Sequence, residues 1–124
     1  MAKAVGVGGV FLKAREPKAL AAWYSSHLGI QPGEGGTLIF DGPESAGMTV
    51  FAHLPADTRY FGDQAPQQFM INFRVDDLDA LLLQLAAAGA RIDPKREEYE
   101  YGRFAWIWDP EGNRVELWEP PAAG

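Results

Sequence analysis

Among the side chains of this 124-residue sequence, Glu116 in the run Val115-Glu116-Leu117-Trp118 is the one whose type and setting most suggest chemistry. Alternate residues of a strand share a face, so if Val115 and Leu117 face the core, Glu116 and Trp118 face the other side. A carboxylate between two apolar neighbours is either a solvent-facing charge or the floor of a site. Beside Trp118 it could have a raised pKa and act as a general base. Equally, it could pair with Arg74 or Arg103. The chain has two histidines. His53 shares a predicted strand face with Thr49 and Phe51, where it could reach a site rim and hold a metal, or simply be a half-exposed strand-end histidine. His27, just before Leu28-Gly29, reads as a partial cation stabilising a helix C-terminus.

The elements that must position these residues can be read from periodicity and punctuation. Phe104 to Glu119 (FAWIWDPEGNRVELWE) predicts two strands joined by a turn, with proline, glycine and asparagine in the turn. Val5–Ala14 predicts a strand, with Gly9, Phe11 and Lys13 on one face. Pro17 suits the first turn of a helix carrying Leu20, Trp23, Tyr24 and Leu28 as its apolar stripe, and Gly29 suits its end. Gln31–Thr37 is glycine-rich and supports only an irregular strand or loop. Leu38–Phe40, the turn Asp41-Gly42-Pro43 and Met48–Leu54 read as an antiparallel pair. Pro55–Pro66 reads as a central linker. Phe69–Val75 is a strand with Met70, Asn72 and Arg74 on one face, followed by a helix from Leu78 to Ala88 capped by Asp76-Asp77 and stopped by Gly89. The charge run Lys95-Arg96-Glu97-Glu98 reads as a solvated edge.

Composition narrows the function. Nearly half the residues are apolar, with seven Phe, four Trp and four Tyr, so the chain should bury a core as one domain. The absence of cysteine excludes disulfides, thiolate metal sites and a cysteine nucleophile. A net charge of -6 argues against nucleic acid and against anionic membranes as partners. No long apolar run predicts a signal or a membrane span, and a cytoplasmic protein is the expectation.

The order of elements repeats. Laying Leu12 on Phe73 aligns Glu16 with Asp77, Leu20 with Leu81 and Tyr24 with Leu85, and both halves read strand, helix, then about three strands. A half this small must pack on its copy or on another chain. Two curled sheets, each covered by a helix, would leave inner faces lining a shared cleft. The element order, with VFLKAREPKALAAWYSSHLGI, FRVDDLDALLLQLAAAG and DPEGNRVELWEP, resembles the vicinal oxygen chelate superfamily of glyoxalases, dioxygenases and bleomycin-resistance proteins.

That resemblance implies an α+β fold of two tandem βαβββ modules in residues 1–54 and 67–119, with a linker at 55–66, a tail at 120–124 and homodimeric pairing. In metal-dependent members, oxygen and nitrogen ligands hold Mg, Mn, Fe, Ni or Zn and chelate a substrate's adjacent oxygens. Carried onto this chain, the ligand positions fall on Gly9, Phe51, Met70 and Glu116, of which only Glu116 can ligate a hard ion. The cleft is then expected to present Phe11, Lys13, Phe51, Asn72, Arg74, Glu116 and Trp118, joined by Tyr99, Tyr101 and Arg103. Lys13 and Arg74 would be either a pseudo-twofold pair of cations at its mouth or side chains reaching into water. Aromatic walls with a few polar groups suit a small organic ligand carrying a carboxylate or carbonyl. Two functions are compatible with this: a glyoxalase- or dioxygenase-like enzyme with a degenerate metal site and Glu116 as acid, base or ligand, or a metal-independent binder of an aromatic or drug-like molecule.

Overall fold

A computed structural model describes residues 2–28, 30–31, 33–40, 48–62 and 67–122. The elements are β1 (Ala4–Ala14), α1 (Pro17–Leu28), β2 (Thr37–Phe40), β3 (Thr49–Pro55), β4 (Phe69–Val75), α2 (Leu78–Ala87), β5 (Arg91–Tyr99), β6 (Gly102–Trp108) and β7 (Arg114–Glu119). They form two compact units, residues 8–70 and residues 71–124 together with 1–7. The expected Gly29 helix stop and Asp41-Gly42-Pro43 turn lie outside the described residues. No helix among the described residues is long and apolar enough to cross a membrane.

In the unit of residues 8–70, β3 lies between β2, its antiparallel neighbour, and β1, its parallel one. Pro17 opens α1 as its missing N–H predicts. The helix buries less than its sequence suggests. Ala21 is its buried residue, whereas Trp23 and Leu28 of the expected stripe are exposed. Trp23 stacks on His27 at 4.5 Å, and His27 Nδ1 donates to the Trp23 carbonyl at 2.9 Å in the last turn. After β3 the chain does more than link. Phe61 is fully buried, its ring under the Lys13 ammonium at 5.5 Å, and Tyr60 packs on Phe11 with ring centroids 5.9 Å apart.

The unit containing residues 71–124 has strand order β4-β7-β6-β5, with β4 and β7 parallel and the rest antiparallel. Its apolar core lies between the sheet and α2. Val75, Leu78, Leu82, Ala105 and Leu117 form it, with Phe73, Ile107 and Val115 packed around them. The side chains that alternate with these on β4, β6 and β7 must point away from α2. Asp77 caps the helix by accepting from the Ala80 N–H at 3.1 Å, and Glu119 takes the Leu78 N–H at 2.7 Å. Gly89, at φ 82°, ends it with the Ala90 N–H donating back to the Leu85 carbonyl. The charge run is part of edge strand β5, which continues through Pro94 by an irregularity in register between Ile92 and Arg96. Three strands follow α2, and two follow α1 among the described residues.

Two turns hold β6 in place. Asp109 accepts hydrogen bonds from the backbone of Glu111 and Asn113 and from the Asn113 amide. The Asn113 side chain is the main reason its carboxyl is held below the usual value of 3.8. At the other end, Gly102 has φ 137°, and a Cβ there would sit 2.3 Å from Trp118 Nε1 and 2.6 Å from the Glu119 carbonyl. Gly102→Ala is therefore expected to cost at least about 2 kcal/mol in urea unfolding, against about 1 kcal/mol for Gly89→Ala, where the added methyl meets open space. Asp109 contributes stability that is present above its unfolded value of 3.8 and lost as pH falls through the lowered folded value. Asp109→Asn should accordingly flatten the acid limb of the stability curve below about pH 4.

Candidate active site

Glu116 is fully buried on the sheet face opposite α2. Its Oε1 accepts from Asn72 Nδ2 at 2.6 Å and its Oε2 from Trp106 Nε1 at 2.9 Å. Register creates this arrangement. Asn72 on β4 and Trp106 on β6 both lie opposite Glu116 on β7, so one carboxylate is held from both neighbouring strands. With the carboxyl ionised, the reversed Asn72 amide would set two oxygens against each other, so its nitrogen must face the glutamate. That leaves Asn72 Oδ1, in a residue only 3% exposed, buried without a hydrogen-bond partner.

An aromatic wall adjoins this network. Trp118 stacks parallel to Phe104 at 6.2 Å and donates its indole N–H to the Tyr101 carbonyl at 2.8 Å. Tyr99 and Tyr101 stack on each other at 5.0 Å, half-exposed, with Phe104 edge-on to both. Along β6 the wall continues into Trp106 and Trp108, which carry cations. Arg114 lies 4.9 Å from the Trp106 ring centre, Lys95 lies 5.5 Å from the same ring, and Arg91 lies 4.0 Å from that of Trp108. Two of these cations have local anions: Arg114 meets Asp93 at 2.8 Å and Lys95 meets Glu97 at 3.1 Å. Burial would raise the Asp93 pKa, but its hydrogen bond to Arg114 and further contacts lower it overall. Arg74 is turned along the start of β1, where its Nη1 donates to the Val7 carbonyl at 3.0 Å.

Asn72, Glu116 and Trp118 thus fall on one face, with Tyr101 in the adjoining turn against Phe104. Three expected site residues do not. Arg103 lies on the α2 side of β6, paired with Asp79, Glu98 and Glu119, because its parity is that of Ala105 and Ile107. Phe51 and His53 lie on the α1 side of β3, packed against Tyr24 at 5.0 and 5.5 Å. They pair with Val10 and Leu12, whereas Phe11 pairs with Ala52. By register, Ala52, not Phe51, is therefore the counterpart of Glu116. A slip of one residue in the inferred repeat was enough to turn both side chains to the wrong face.

His53 is anchored rather than presented: its Nδ1 and its backbone N–H both engage the Gly36 carbonyl, and Nε2 is buried with no partner. Phe11 and Lys13 lie on the other face of that sheet, against Tyr60 and Phe61. At Gly9, a Cβ would sit 2.2 Å from the Val50 carbonyl, so the backbone excludes any ligating side chain there. Met70 is fully buried. Among the described residues, no three of His, Cys, Asp and Glu cluster closely enough to hold a metal ion. Sequence reasoning missed Trp106 as a site residue, although its parity with Phe104 and Trp118 was there to be read.

The network makes a stability prediction. Glu116→Ala strands two buried N–H donors and should cost about 2–5 kcal/mol, whereas Glu116→Gln, which can still accept one bond, should cost clearly less. Paired urea titrations would measure the difference.

Similarity to known proteins follows the same architecture. The glyoxalase-like domain family matches residues 9–118. Methylmalonyl-CoA epimerase from Mycobacterium tuberculosis is a similar solved structure at 23% identity and TM-score 0.69, covering 96% of this chain and 90% of that one. A Streptomyces coelicolor methylmalonyl-CoA epimerase variant in complex with 2-nitronate-propionyl-CoA gives 15% identity and TM-score 0.71, over 97% and 100% of the two chains. The Mn(II)-bound glyoxalase from Novosphingobium aromaticivorans gives 16% identity and TM-score 0.59, over all of this chain and 44% of that one. No curated protein matches the chain. The extent of the domain match and the shared fold place the chain in the glyoxalase-like domain family of the vicinal oxygen chelate superfamily.

Proposed function

We propose that this chain binds a small aromatic organic molecule without a divalent metal ion, on the sheet face opposite α2. The observation that carries this reading is the Glu116 carboxylate, with both oxygens held by N–H donors next to the Phe104–Trp118 stack. A hard cation needs several oxygen or nitrogen ligands. The positions that the family resemblance assigns to such ligands, corrected for register, carry glycine, alanine and methionine, and the carboxylate of Glu116 is already engaged. Aromatic surface with a few directed polar groups is what a site for a small planar ligand requires. Because Glu116 and Asn72 are shielded from solvent, entry needs side-chain displacement, and association should be slower than the ordinary 10⁵–10⁷ M⁻¹s⁻¹ by about tenfold or more.

A second reading rests on the same carboxylate. Glyoxalases and methylmalonyl-CoA epimerases are among the proteins similar in fold. An enzyme of this kind would use Glu116 to take a proton from a carbon beside a carbonyl and return it. Homodimer formation belongs to both readings through the family resemblance.

Stripped protein titrated with Ni, Mn, Fe(II) and Zn by calorimetry is expected to show no stoichiometric binding dependent on Glu116. Stoichiometric binding abolished by Glu116→Ala would overturn the metal-independent reading. Single-ring aromatic compounds should perturb tryptophan fluorescence, and Trp118→Ala should weaken them about tenfold or more. Glu116→Gln separates the two functions: a binder keeps most of its affinity for an uncharged aromatic ring, whereas an enzyme keeps affinity and loses turnover about 100-fold or more.

A further inference from the structure

The proposed site exposes an asymmetry in hydrogen bonding that bears on what it would hold. Asn72 spends its N–H on Glu116 and keeps a buried carbonyl oxygen with no partner. A buried acceptor left unpaired is costly, and a ligand that supplies the missing donor recovers that cost on binding. Glu116, directly across the strand pair, is a second acceptor. On the same face, the Arg114 and Lys95 charges are met by Asp93 and Glu97, and Arg74 is directed to the Val7 carbonyl. Trp108 Nε1, a buried donor with no partner, lies on the same face but two residues beyond Trp106, on the residue whose strand partners are Arg91 and Arg114 rather than Glu116. Beside Asn72, therefore, acceptors prevail.

We infer that the ligand is an aromatic ring carrying an N–H donor group, such as an amidine, amine or amide, and not an aromatic acid. The inference rests on the binding reading above. It departs from the expectation drawn from the sequence, which was a ligand carrying a carboxylate or carbonyl. An amidinium offers two N–H groups in one plane, which can meet Asn72 Oδ1 and the Glu116 carboxylate together. A carboxylate at the same place would set its oxygens against two acceptors and leave Asn72 Oδ1 unsatisfied. The ring would lie along Trp118 and Phe104, where stacking does not depend on the substituent.

Four probes that share a ring and differ in one group test this: benzamidine, benzamide, benzoate and toluene. Binding is read from the indole N–H signals of Trp106 and Trp118 in ¹H–¹⁵N spectra. Benzamidine is expected to bind about tenfold or more tighter than benzoate, with benzamide between them. Asn72→Leu should remove most of the benzamidine advantage while leaving toluene within about threefold. The series on the unaltered protein decides the question if Asn72→Leu fails to fold. Benzoate binding as tightly as benzamidine, or an amidine preference untouched in folded Asn72→Leu, would overturn the inference and leave the binding reading in place. If none of the four moves either indole signal at millimolar concentration, the binding reading itself falls.

Discussion

A carboxylate removed from water is the constraint around which residues 71–124 are arranged. An isolated buried charge is prohibitively costly, and it persists only where donors replace its hydration. Glu116 has those donors because β4 and β6 flank β7 in register, one supplying an amide and the other an indole. The glutamate therefore does more than sit on a sheet. It links three strands through side chains on the face that α2 does not cover. Any sliding of β4 or β6 along β7 would strand the charge, so the network penalises alternative registers.

The two faces of this sheet divide the work. The α2 face supplies apolar burial, and its charged groups, such as Arg103 with Asp79, Glu98 and Glu119, are held at the margin, where ion pairs add little. The opposite face carries aromatic surface and a deeply buried carboxylate, a combination that contributes less to stability than leucines would. A protein that retains such a face does so at some expense in stability, and that is the pattern expected where a site is built.

Much of the fold was legible in the sequence because its signals are local. Pro17, the Asp77 cap and Gly89 bounded the helices, and the Asp109–Asn113 turn bounded the closing hairpin. Glu116 and Trp118 could be placed on a common face by strand alternation alone, and Asn72 joined them only through the repeat and the family resemblance. What failed was non-local. The face of Phe51 and His53 depends on how β3 registers with β1 and β2, and a glycine-rich stretch gave no periodicity to fix it. Arg103 belongs to β6 itself rather than to the loop before it, so strand alternation turns it to the α2 side. The partners of Glu116 needed three-strand register, which no single segment encodes.

The turn between β5 and β6 is fastened from beneath: Gly102 makes room for the Trp118 indole, and that indole holds the Tyr101 carbonyl. That fastening uses a hydrogen atom and a backbone oxygen, while the side chains of Tyr99 and Tyr101 add only contacts at the surface, with each other, with Phe104 and with Glu97. Those two rings are half-exposed. Substitutions at either position can therefore alter what the protein touches while the scaffold stays as it is, so the turn is where descendants of this chain could acquire new preferences without first being destabilised.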